Sequence, residues 1–311
     1  MVQSKFVSKI VICGVGLIGG SFALAIKEYF ALKSAQKTEK STPAGRPEGV
    51  TLVGMGRTRA PLEQALQLGV IDEIGGDWAS ALQDADLVLL GMPVGQMEPV
   101  MRAIAPHLEP QTLVTDGGST KTDVVVAARA AFGNKINQFV PGHPIAGAEK
   151  SGVAAAKADL YVGKRVVLTP LPENAPEAVA AVRAVWEVCG AKVSTLRPDE
   201  HDRVFAAVSH LPHLLAFALV HDLAGRHNAD QLFGFAASGF RDFTRIASSH
   251  PEMWRDICLA NRKALLQELD AYMAELIRTR VLLASADSAG LENMFATART
   301  RRDAWLDTLG K

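Results

Sequence analysis

Cysteine is scarce in this sequence. Its 311 residues include only three cysteines, Cys13, Cys189 and Cys258. They are odd in number and widely separated, so they match neither a disulfide framework nor the spacing of zinc ligands. We therefore expect no metal site, and we expect buried free thiols in the reducing environment of the cytoplasm.

An excess of charge of either sign is also missing. Lys and Arg number 33, Asp and Glu number 33, and the formal net charge is zero. Without a basic excess we expect no nucleic-acid partner, and without a polybasic run beside an amphipathic helix we expect no contact with a membrane surface. Charges or glycines are expected to interrupt each apolar stretch before about 18 residues, which predicts no membrane span. The N-terminus also lacks the pattern of a signal peptide.

Three glycines near the start of the chain indicate a dinucleotide site. A short apolar run before them predicts a strand, and a helix is predicted to follow. Gly14, Gly16 and Gly19 form the pattern G-x-G-x-x-G, whose glycines serve a tight turn, close approach of a pyrophosphate, and close helix–strand packing. Leu17 and Ile18 complete this candidate phosphate loop. The alternative is a plain tight turn, but the position between strand and helix favours the dinucleotide site.

The residues after the second predicted strand indicate which dinucleotide binds. A site for NAD usually places an acidic side chain there, which accepts a hydrogen bond from the ribose 2′-hydroxyl. Here Gly56, Arg57 and Thr58 follow instead, which leaves room for a 2′-phosphate that Arg57 can pair with. One charge-assisted contact contributes about 1.5–3 kcal/mol to the free energy of binding, which is roughly a 10- to 150-fold change in affinity. We predict that NADP is favoured and that NAD can also bind; the alternative is that Arg57 is simply solvated.

Strands and helices alternate through the first two thirds of the chain. The predicted strands are 9–13, 50–54, 70–74, 86–91, 112–116, 166–170 and 192–196, with helices at 60–68, 120–132 and 175–188 among them. This alternation predicts an α/β fold with a Rossmann-type, doubly wound parallel sheet, whose ligands lie beyond the carboxyl ends of the strands. Met92 and Pro93 follow a buried strand and are expected along the cofactor edge. Residues 33–48 are polar and are expected to form a mobile surface insertion.

From residue 197 onward the sequence shows no convincing strand. Helices are predicted at 201–223, 251–276 and 291–309, with a shorter one before residue 238. We therefore predict a dinucleotide-binding domain at 1–197 and an all-α substrate and dimerisation domain at 198–311. Helices with a wide apolar stripe and no partner sheet pack on each other or across a dimer axis, and the pattern does not separate these options.

Five motifs in register resemble one family. They are GVGLIGGS at 14–21, DGGSTK at 116–121, GHPIAG at 142–147, SHLPH at 209–213 and GFRDFTRIA at 239–247. Over nearly its whole length the chain is similar to the prephenate and arogenate dehydrogenases, which make tyrosine precursors. The resemblance implies a homodimer and an oxidative decarboxylation. In that reaction a cyclohexadienol loses hydride to a nicotinamide cofactor, its ring carboxylate leaves as carbon dioxide, and the ring becomes aromatic.

Two residues resemble the family's catalytic groups. His143, on a loop predicted at the end of a strand, resembles the histidine that accepts the proton of the substrate hydroxyl, and its reference pKa of about 6.5 suits a base. Ser119 resembles the serine that bonds the same hydroxyl. The alternatives are an ordinary surface histidine and a helix cap for the run that starts near residue 120.

Four further residues resemble groups that contact the substrate. Arg245 resembles the arginine that binds a carboxylate, and its alternative is a salt bridge on a helix surface. His210 and His213 are three residues apart on one helix and resemble substrate contacts, although spacing alone fits core residues or metal ligands equally well. Glu149 resembles a residue that gates the site, with a solvated charge as the alternative.

The resemblance leaves the substrate and two other functions open. His213 favours prephenate, and arogenate or both substrates are the alternative. A β-hydroxyacid dehydrogenase would need a catalytic lysine from the helical domain, and Lys263 lacks a matching neighbourhood. A non-catalytic NADP-sensing protein would not need His143, Ser119 and Arg245 together. The length leaves no room for a fused chorismate mutase, so we expect none.

Overall fold

The structure, a computed structural model, describes residues 7–37, 49–147 and 150–309. The chain divides into two compact units, residues 1–262 and 263–311. The strands are β1 Lys9–Cys13, β2 Thr51–Met55, β3 Glu73–Ile74, β4 Leu87–Leu90, β5 Leu113–Asp116, β6 Gly142–Pro144, β7 Arg165–Leu168 and β8 Lys192–Thr195. The helices are α1 Leu17–Lys37, α2 Arg59–Gln67, α3 Trp78–Leu82, α4 Met97–Ile104, α5 Thr122–Phe132, α6 Pro176–Val188, α7 Pro198–Phe205, α8 Leu211–Ala224, α9 Ala229–Gly234, α10 Ser238–Thr244, α11 Pro251–Ala260, α12 Arg262–Ala284 and α13 Ser288–Leu309.

The central sheet contains five parallel strands in the order β3-β2-β1-β4-β5. Strand β1 is buried on both faces, because Ile10 and Val11 point into two different apolar clusters. One cluster includes Phe22 of α1 and Trp186 of α6, whose rings lie 5.1 Å apart, and the other includes Met101 of α4. Burial on both faces explains why these strands are almost continuously apolar. The predicted doubly wound sheet is confirmed, and its carboxyl edge is where ligands bind.

A second sheet of three strands, in the order β6-β7-β8, follows β5. Strand β7 runs antiparallel to β6 and parallel to β8. A bridge between Val114 and Phe139 connects the chain before β6 to the central sheet. His143 lies inside β6, opposite Val167, so the prediction that it occupies a loop is wrong. The sequence pattern concealed this strand because glycine and proline, which flank the histidine, are both depleted in strands.

A continuous helical stretch, Pro198–Ala224, follows the two sheets. It consists of α7, a π-helical turn at Ala206–His210, and α8. Among the described residues it is long and apolar enough to cross a membrane by length and composition, so the expectation that every apolar stretch is interrupted is wrong here. Asp202 of this stretch is buried and accepts hydrogen bonds from the start of α5.

Two helices replace the single helix predicted from residue 251 onward. Helix α11 ends at Ala260 and α12 begins at Arg262. Between them, the buried side chain of Asn261 donates to the backbone oxygen of Asp202 and to His210. The apolar spacing continues across the break, so the sequence pattern did not show it. The break coincides with contacts that Asn261 makes to residues more than fifty positions away.

Several smaller predictions also need correction. Helix α1 extends to Lys37, so the insertion predicted at 33–48 begins as helix, and residues 38–48 lie outside the described residues. The strand predicted at 70–74 is reduced to Glu73–Ile74. Cys13 and Cys189 are buried as predicted, whereas Cys258 is partly exposed. Its partial exposure follows from its position on α11, which is buried mainly through other residues.

The second unit consists of α13 and nearly all of α12. Thr279 of α12 lies 3.6 Å from the sulfur of Met294 on α13. Many of its apolar side chains are exposed, among them Met273, Ile277 and Phe295. The helices between 198 and 260 belong to the first unit. The domain boundary predicted at residue 197 stays a prediction.

Candidate active site

The glycine loop after β1 has the geometry of a phosphate-binding turn. Gly14 has a φ of +89°, and a Cβ there would lie 2.9 Å from the backbone nitrogen of Met92. A Cβ at Gly19 would clash with the carbonyl oxygen of Gly14, whereas nothing lies within 4 Å of the corresponding position at Gly16. Helix α1 starts at Leu17, so its first N–H groups lack partners within the helix and can bind an anion. The three glycines therefore fit the pyrophosphate of a dinucleotide, and the space where a side chain of residue 16 would lie is open.

The end of β2 presents the residues predicted to select the cofactor. Gly56, Arg57 and Thr58 are all exposed, and Thr58 is the N-cap of α2 without a side-chain hydrogen bond. A Cβ at Gly56 would approach Leu62 to 3.5 Å, which is ordinary contact. Arg57 is therefore accessible at this edge, directly after the exposed Gly56.

The loops after β1, β4 and β5 converge at the same edge of the sheet. Met92 lies against Gly14, and Pro93 precedes a 3-10 turn at Val94–Gln96. A Cβ at Gly117 would lie 3.0 Å from Ile18 and 3.7 Å from Pro144. Because Pro144 is the neighbour of His143 in β6, the structure brings the predicted base close to the glycine loop.

His143 belongs to a buried chain of hydrogen bonds. Its Nδ1 lies 2.8 Å from Nε2 of His201, and Nδ1 of His201 lies 2.9 Å from a carboxylate oxygen of Asp202. Burial lowers the pKa of His143 well below 6.5, and the charges of His201 and Lys121 act in the same direction. Burial also lowers the pKa of His201, although the hydrogen bond to Asp202 opposes this shift. Both imidazoles are therefore neutral at pH 7.

Asp202 also caps helix α5. Its two carboxylate oxygens accept from the backbone N–H groups of Lys121 and Thr122, each at 2.8 Å. Burial alone would raise the pKa of Asp202, but the hydrogen bonds from His201, Thr122 and Lys121 together hold it below 3.8. The cap position is Lys121, so the alternative of Ser119 as the cap of this helix does not apply. Ser119 is partly exposed in the loop between β5 and α5.

A buried ion pair joins this loop to the strand that carries His143. Lys121 and Asp116 are fully buried and bonded to each other. Lys121 also donates to the backbone oxygen of Gly142 at 2.8 Å, and Asp116 accepts from the Gly142 N–H at 3.0 Å. Breaking such a pair is costly because it leaves a buried charge without its partner. The pair thus anchors β6 at the residue directly before His143.

A second cluster surrounds His210. Asn261 donates to Nδ1 of His210 at 3.0 Å, so the ring proton of neutral His210 lies on Nε2. That Nε2 and the indole Nε1 of Trp254 are both buried and lack a hydrogen bond of normal geometry among the described residues, although the backbone of Ser119 lies close enough to the His210 ring to act on its pKa. Burial lowers the pKa of His210 to about 4. The two rings are 6.1 Å apart, so two unpaired donors lie close together.

His213 and Arg245 belong to the same cluster. The ring of His213 stacks on Trp254 at 3.7 Å, and its Nδ1 donates to the backbone oxygen of Ser209. Burial lowers the pKa of His213, and the positive charge of Arg245 lowers it further. Arg245 begins a 3-10 turn after α10 and is exposed. Arg241, four residues earlier, pairs with its neighbour Asp242 at 3.5 Å.

The predicted catalytic and substrate residues that the structure describes lie in two clusters, one around His143 and one around His210, and the backbone of Ser119 lies beside the His210 ring. Glu149 lies outside the described residues. Sequence reasoning missed five side chains that hold these clusters in place. They are Asp116, Lys121, His201, Asp202 and Asn261. Only the DGGSTK motif contained a signal, since it includes two of the five. Among the described residues, no group of three or more His, Cys, Asp or Glu could hold a metal ion.

A glycine loop at the carboxyl edge of a doubly wound sheet, beside a buried neutral histidine, defines a dinucleotide-binding dehydrogenase. A family model described as prephenate dehydrogenase, nucleotide-binding domain, matches residues 44–195. A second, described as prephenate dehydrogenase, dimerization domain, matches residues 197–297. The chain belongs to the prephenate dehydrogenase family, which confirms the resemblance seen in its motifs.

Individual relatives are similar over most of the chain. A prephenate dehydrogenase of Bacillus subtilis is 38% identical over 94% of this chain and 75% of its own length. A cyclohexadienyl dehydrogenase of Zymomonas mobilis is 36% identical over 94% of both chains. The crystal structure of Aquifex aeolicus prephenate dehydrogenase with hydroxyphenyl propionate and NAD+ has a TM-score of 0.84 and 33% identity, covering 97% of this chain and 99% of that one. A Synechocystis arogenate dehydrogenase has a TM-score of 0.76 and 30% identity, covering 96% and 99%.

Proposed function

We propose that this protein oxidatively decarboxylates prephenate to 4-hydroxyphenylpyruvate in tyrosine biosynthesis. Membership in the family supports this reaction. The position of His143 near the glycine loop is the observation from which we propose His143 as the base of the reaction. His143 is neutral at pH 7 because its pKa is lowered, so it can accept the proton of the substrate hydroxyl. Ser119, in the loop beside it, bonds the same hydroxyl.

The reaction balances with one base and one hydride acceptor. The hydroxyl proton passes to His143, while the carbon that bears the hydroxyl loses its hydride. A nicotinamide, when bound, accepts that hydride and supplies the oxidation. The ring carboxylate leaves as carbon dioxide, the electron pair of the broken C–C bond completes the aromatic ring, and the ring oxygen regains the proton held by His143 to become the phenol hydroxyl. The residues of this chain therefore have to orient the ring and bind a dianion.

The His210 cluster supplies the groups that a dianion needs. Arg245 offers a planar guanidinium, which can bind a carboxylate through two hydrogen bonds. His210 and Trp254 each hold a buried donor without a partner, and such donors are costly unless a ligand pairs with them. His213 stacks on Trp254 and keeps that indole in place. We propose that His210, His213 and Arg245 contact the substrate carboxylates, together with Trp254. Glu149 stays a proposed gating residue.

We propose that NADP is the favoured cofactor and that NAD also serves. Arg57 is exposed after β2, and Gly56, which precedes it, is exposed and has no side chain to oppose a 2′-phosphate. Replacing Arg57 with alanine should lower kcat/KM with NADP by about 10- to 150-fold, the value of one charge-assisted contact, and leave kcat/KM with NAD nearly unchanged. Arg59→Ala is the matched control, since Arg59 is exposed two residues later and pairs with Glu63. A strict requirement for NAD in the wild-type protein would contradict this proposal.

Arogenate is the second candidate substrate, because a solved arogenate dehydrogenase is similar over almost the whole chain. Steady-state rates with prephenate and arogenate, each with NADP and NAD, separate a prephenate-specific enzyme from a dual-specificity one. Protein that binds NADP but turns over neither substrate would instead be a nucleotide sensor.

We also propose a homodimer in the cytoplasm. The match to a dimerization domain over residues 197–297 supports the dimer, and so do the exposed apolar side chains of the second unit. The free thiols suit a reducing compartment. Light scattering of the full chain should give twice the chain mass.

A further inference from the structure

We propose that His201 and Asp202 are positioning residues that hold His143 in the tautomer whose Nε2 is bare. This inference rests on the proposed role of His143 as the base. Neither residue follows from the motifs that identify the family site. The proposal depends on the direction of each hydrogen bond in the chain from Asp202 through His201 to His143.

The direction of these bonds starts at Asp202. Its carboxylate can only accept, so Nδ1 of His201 donates to it over 2.9 Å. A neutral His201 then has a bare Nε2, which can only accept. His143 must therefore donate from Nδ1 over 2.8 Å, and its own Nε2 is left as the proton acceptor. His143 Nε2 makes no hydrogen bond within the described part of the chain, so it is available to the substrate hydroxyl.

Asp202, at the end of this series of hydrogen bonds, is held in place by several partners. Asp202 accepts from the first N–H groups of α5, whose N-terminus also favours a negative charge. Its backbone oxygen accepts from Asn261 at 2.7 Å. The rings of His143 and His201 are 5.0 Å apart, and Phe205 packs against both of them. The side chains therefore have little freedom to reverse the order of donors and acceptors.

The arrangement also helps during the reaction. When Nε2 of His143 takes the hydroxyl proton, the ring becomes positively charged inside a buried site. Its Nδ1 proton already points to His201. The positive charge is therefore stabilised through the hydrogen bonds that lead from His143 through His201 to the Asp202 carboxylate. This is the logic by which a carboxylate orients a catalytic histidine and stabilises its charged form.

The tautomer can be measured directly in the wild-type protein. The 15N resonances of the histidine rings distinguish a bare nitrogen from a protonated one, and His143→Asn identifies which resonances belong to residue 143. We expect Nδ1 of His143 to be protonated and Nε2 to be bare at pH 7. A protonated Nε2 would overturn the proposal, and this readout does not depend on which substrate the enzyme uses.

Replacing His201 with phenylalanine removes the acceptor but keeps an aromatic ring and the Asp202 cap of α5. We expect kcat to fall by about 10- to 100-fold, a part of what general-base help contributes, with little change in KM. The bare nitrogen of His143 should move to Nδ1. His201→Gln, which restores an acceptor, should recover part of the lost kcat. His221→Phe on the exposed surface of α8 is the control and should change neither value.

An unchanged kcat in His201→Phe, or an Nε2 that stays bare, would contradict the positioning role. Wild-type protein that lacks activity on prephenate and arogenate would instead defeat the proposed function. In that case the resonances of His143 would still decide whether His201 and Asp202 set its tautomer.

Discussion

Two pairs of histidines lie in this protein, and they differ in how their nitrogens are satisfied. His143 and His201 bond to each other, and His201 is bonded to a carboxylate. His210 keeps an unpaired donor, and His213 bonds only to a backbone oxygen while it stacks on a tryptophan. His143, His201 and His210 are buried and His213 is partly buried, and all four have lowered pKa values.

The difference separates positioning from binding. The bond at Nδ1 fixes the ring of His143 and leaves its Nε2 as an acceptor, which suits a base that must meet its proton in one geometry. A buried donor without a partner is destabilising in the free protein, and it gains a partner only when a ligand arrives. We therefore propose that the first pair is the proton acceptor and its support, and that the second is part of a site for anions.

Among the variants that test the difference between the two pairs, His143→Asn should produce the largest change in kcat. We expect kcat to fall by about 10²- to 10⁴-fold, because general-base help is lost, while NADP binds as before. Steady-state rates measure kcat, and a fluorescence titration with NADPH measures the affinity for the cofactor. His107→Asn, in the 3-10 turn at Ala105–His107, is the control. Near-normal turnover would remove His143 from the role of base.

Replacing Arg245 with alanine should affect binding rather than chemistry. The loss of one charge-assisted contact should raise the KM for the substrate by about 10- to 150-fold and leave kcat nearly unchanged. Arg241→Ala is the matched control, since Arg241 lies one helical turn earlier and pairs with Asp242. If kcat falls and KM does not change, Arg245 acts in the transition state and the division between the two pairs breaks down.

Replacing Trp254 with phenylalanine should give the smallest change. It removes one buried, unpaired donor and keeps the ring on which His213 stacks. We expect KM to rise by roughly 2- to 12-fold, as for one neutral hydrogen bond of about 0.5–1.5 kcal/mol, with no loss of thermal stability. Trp186→Phe is a close control because its indole nitrogen is also buried and unpaired, but it packs in the core against Phe22 and Tyr161. Equal changes of KM in both variants would show that Trp254 has no special place in binding.

Local patterns were enough to predict part of this molecule. The glycine loop, the parallel sheet and α5 depend on spacings within one strand–helix unit, and the structure places them close to where they were predicted. The strand around His143 was missed because its length is only three residues and two of them disfavour strands. The break at Asn261 was missed because apolar spacing does not record a hydrogen bond to a distant helix.

The sequence by itself was enough to predict a dinucleotide site at Gly14, Gly16 and Gly19, because a strand, a turn and a helix that follow each other need no other part of the chain. It also identified the family through motifs in register. Only the tertiary structure decided which residues support His143, because His201 lies 58 positions further along the chain. Hydrogen bonds between such residues depend on how β6, α5 and α7 pack together, and no local pattern records that packing.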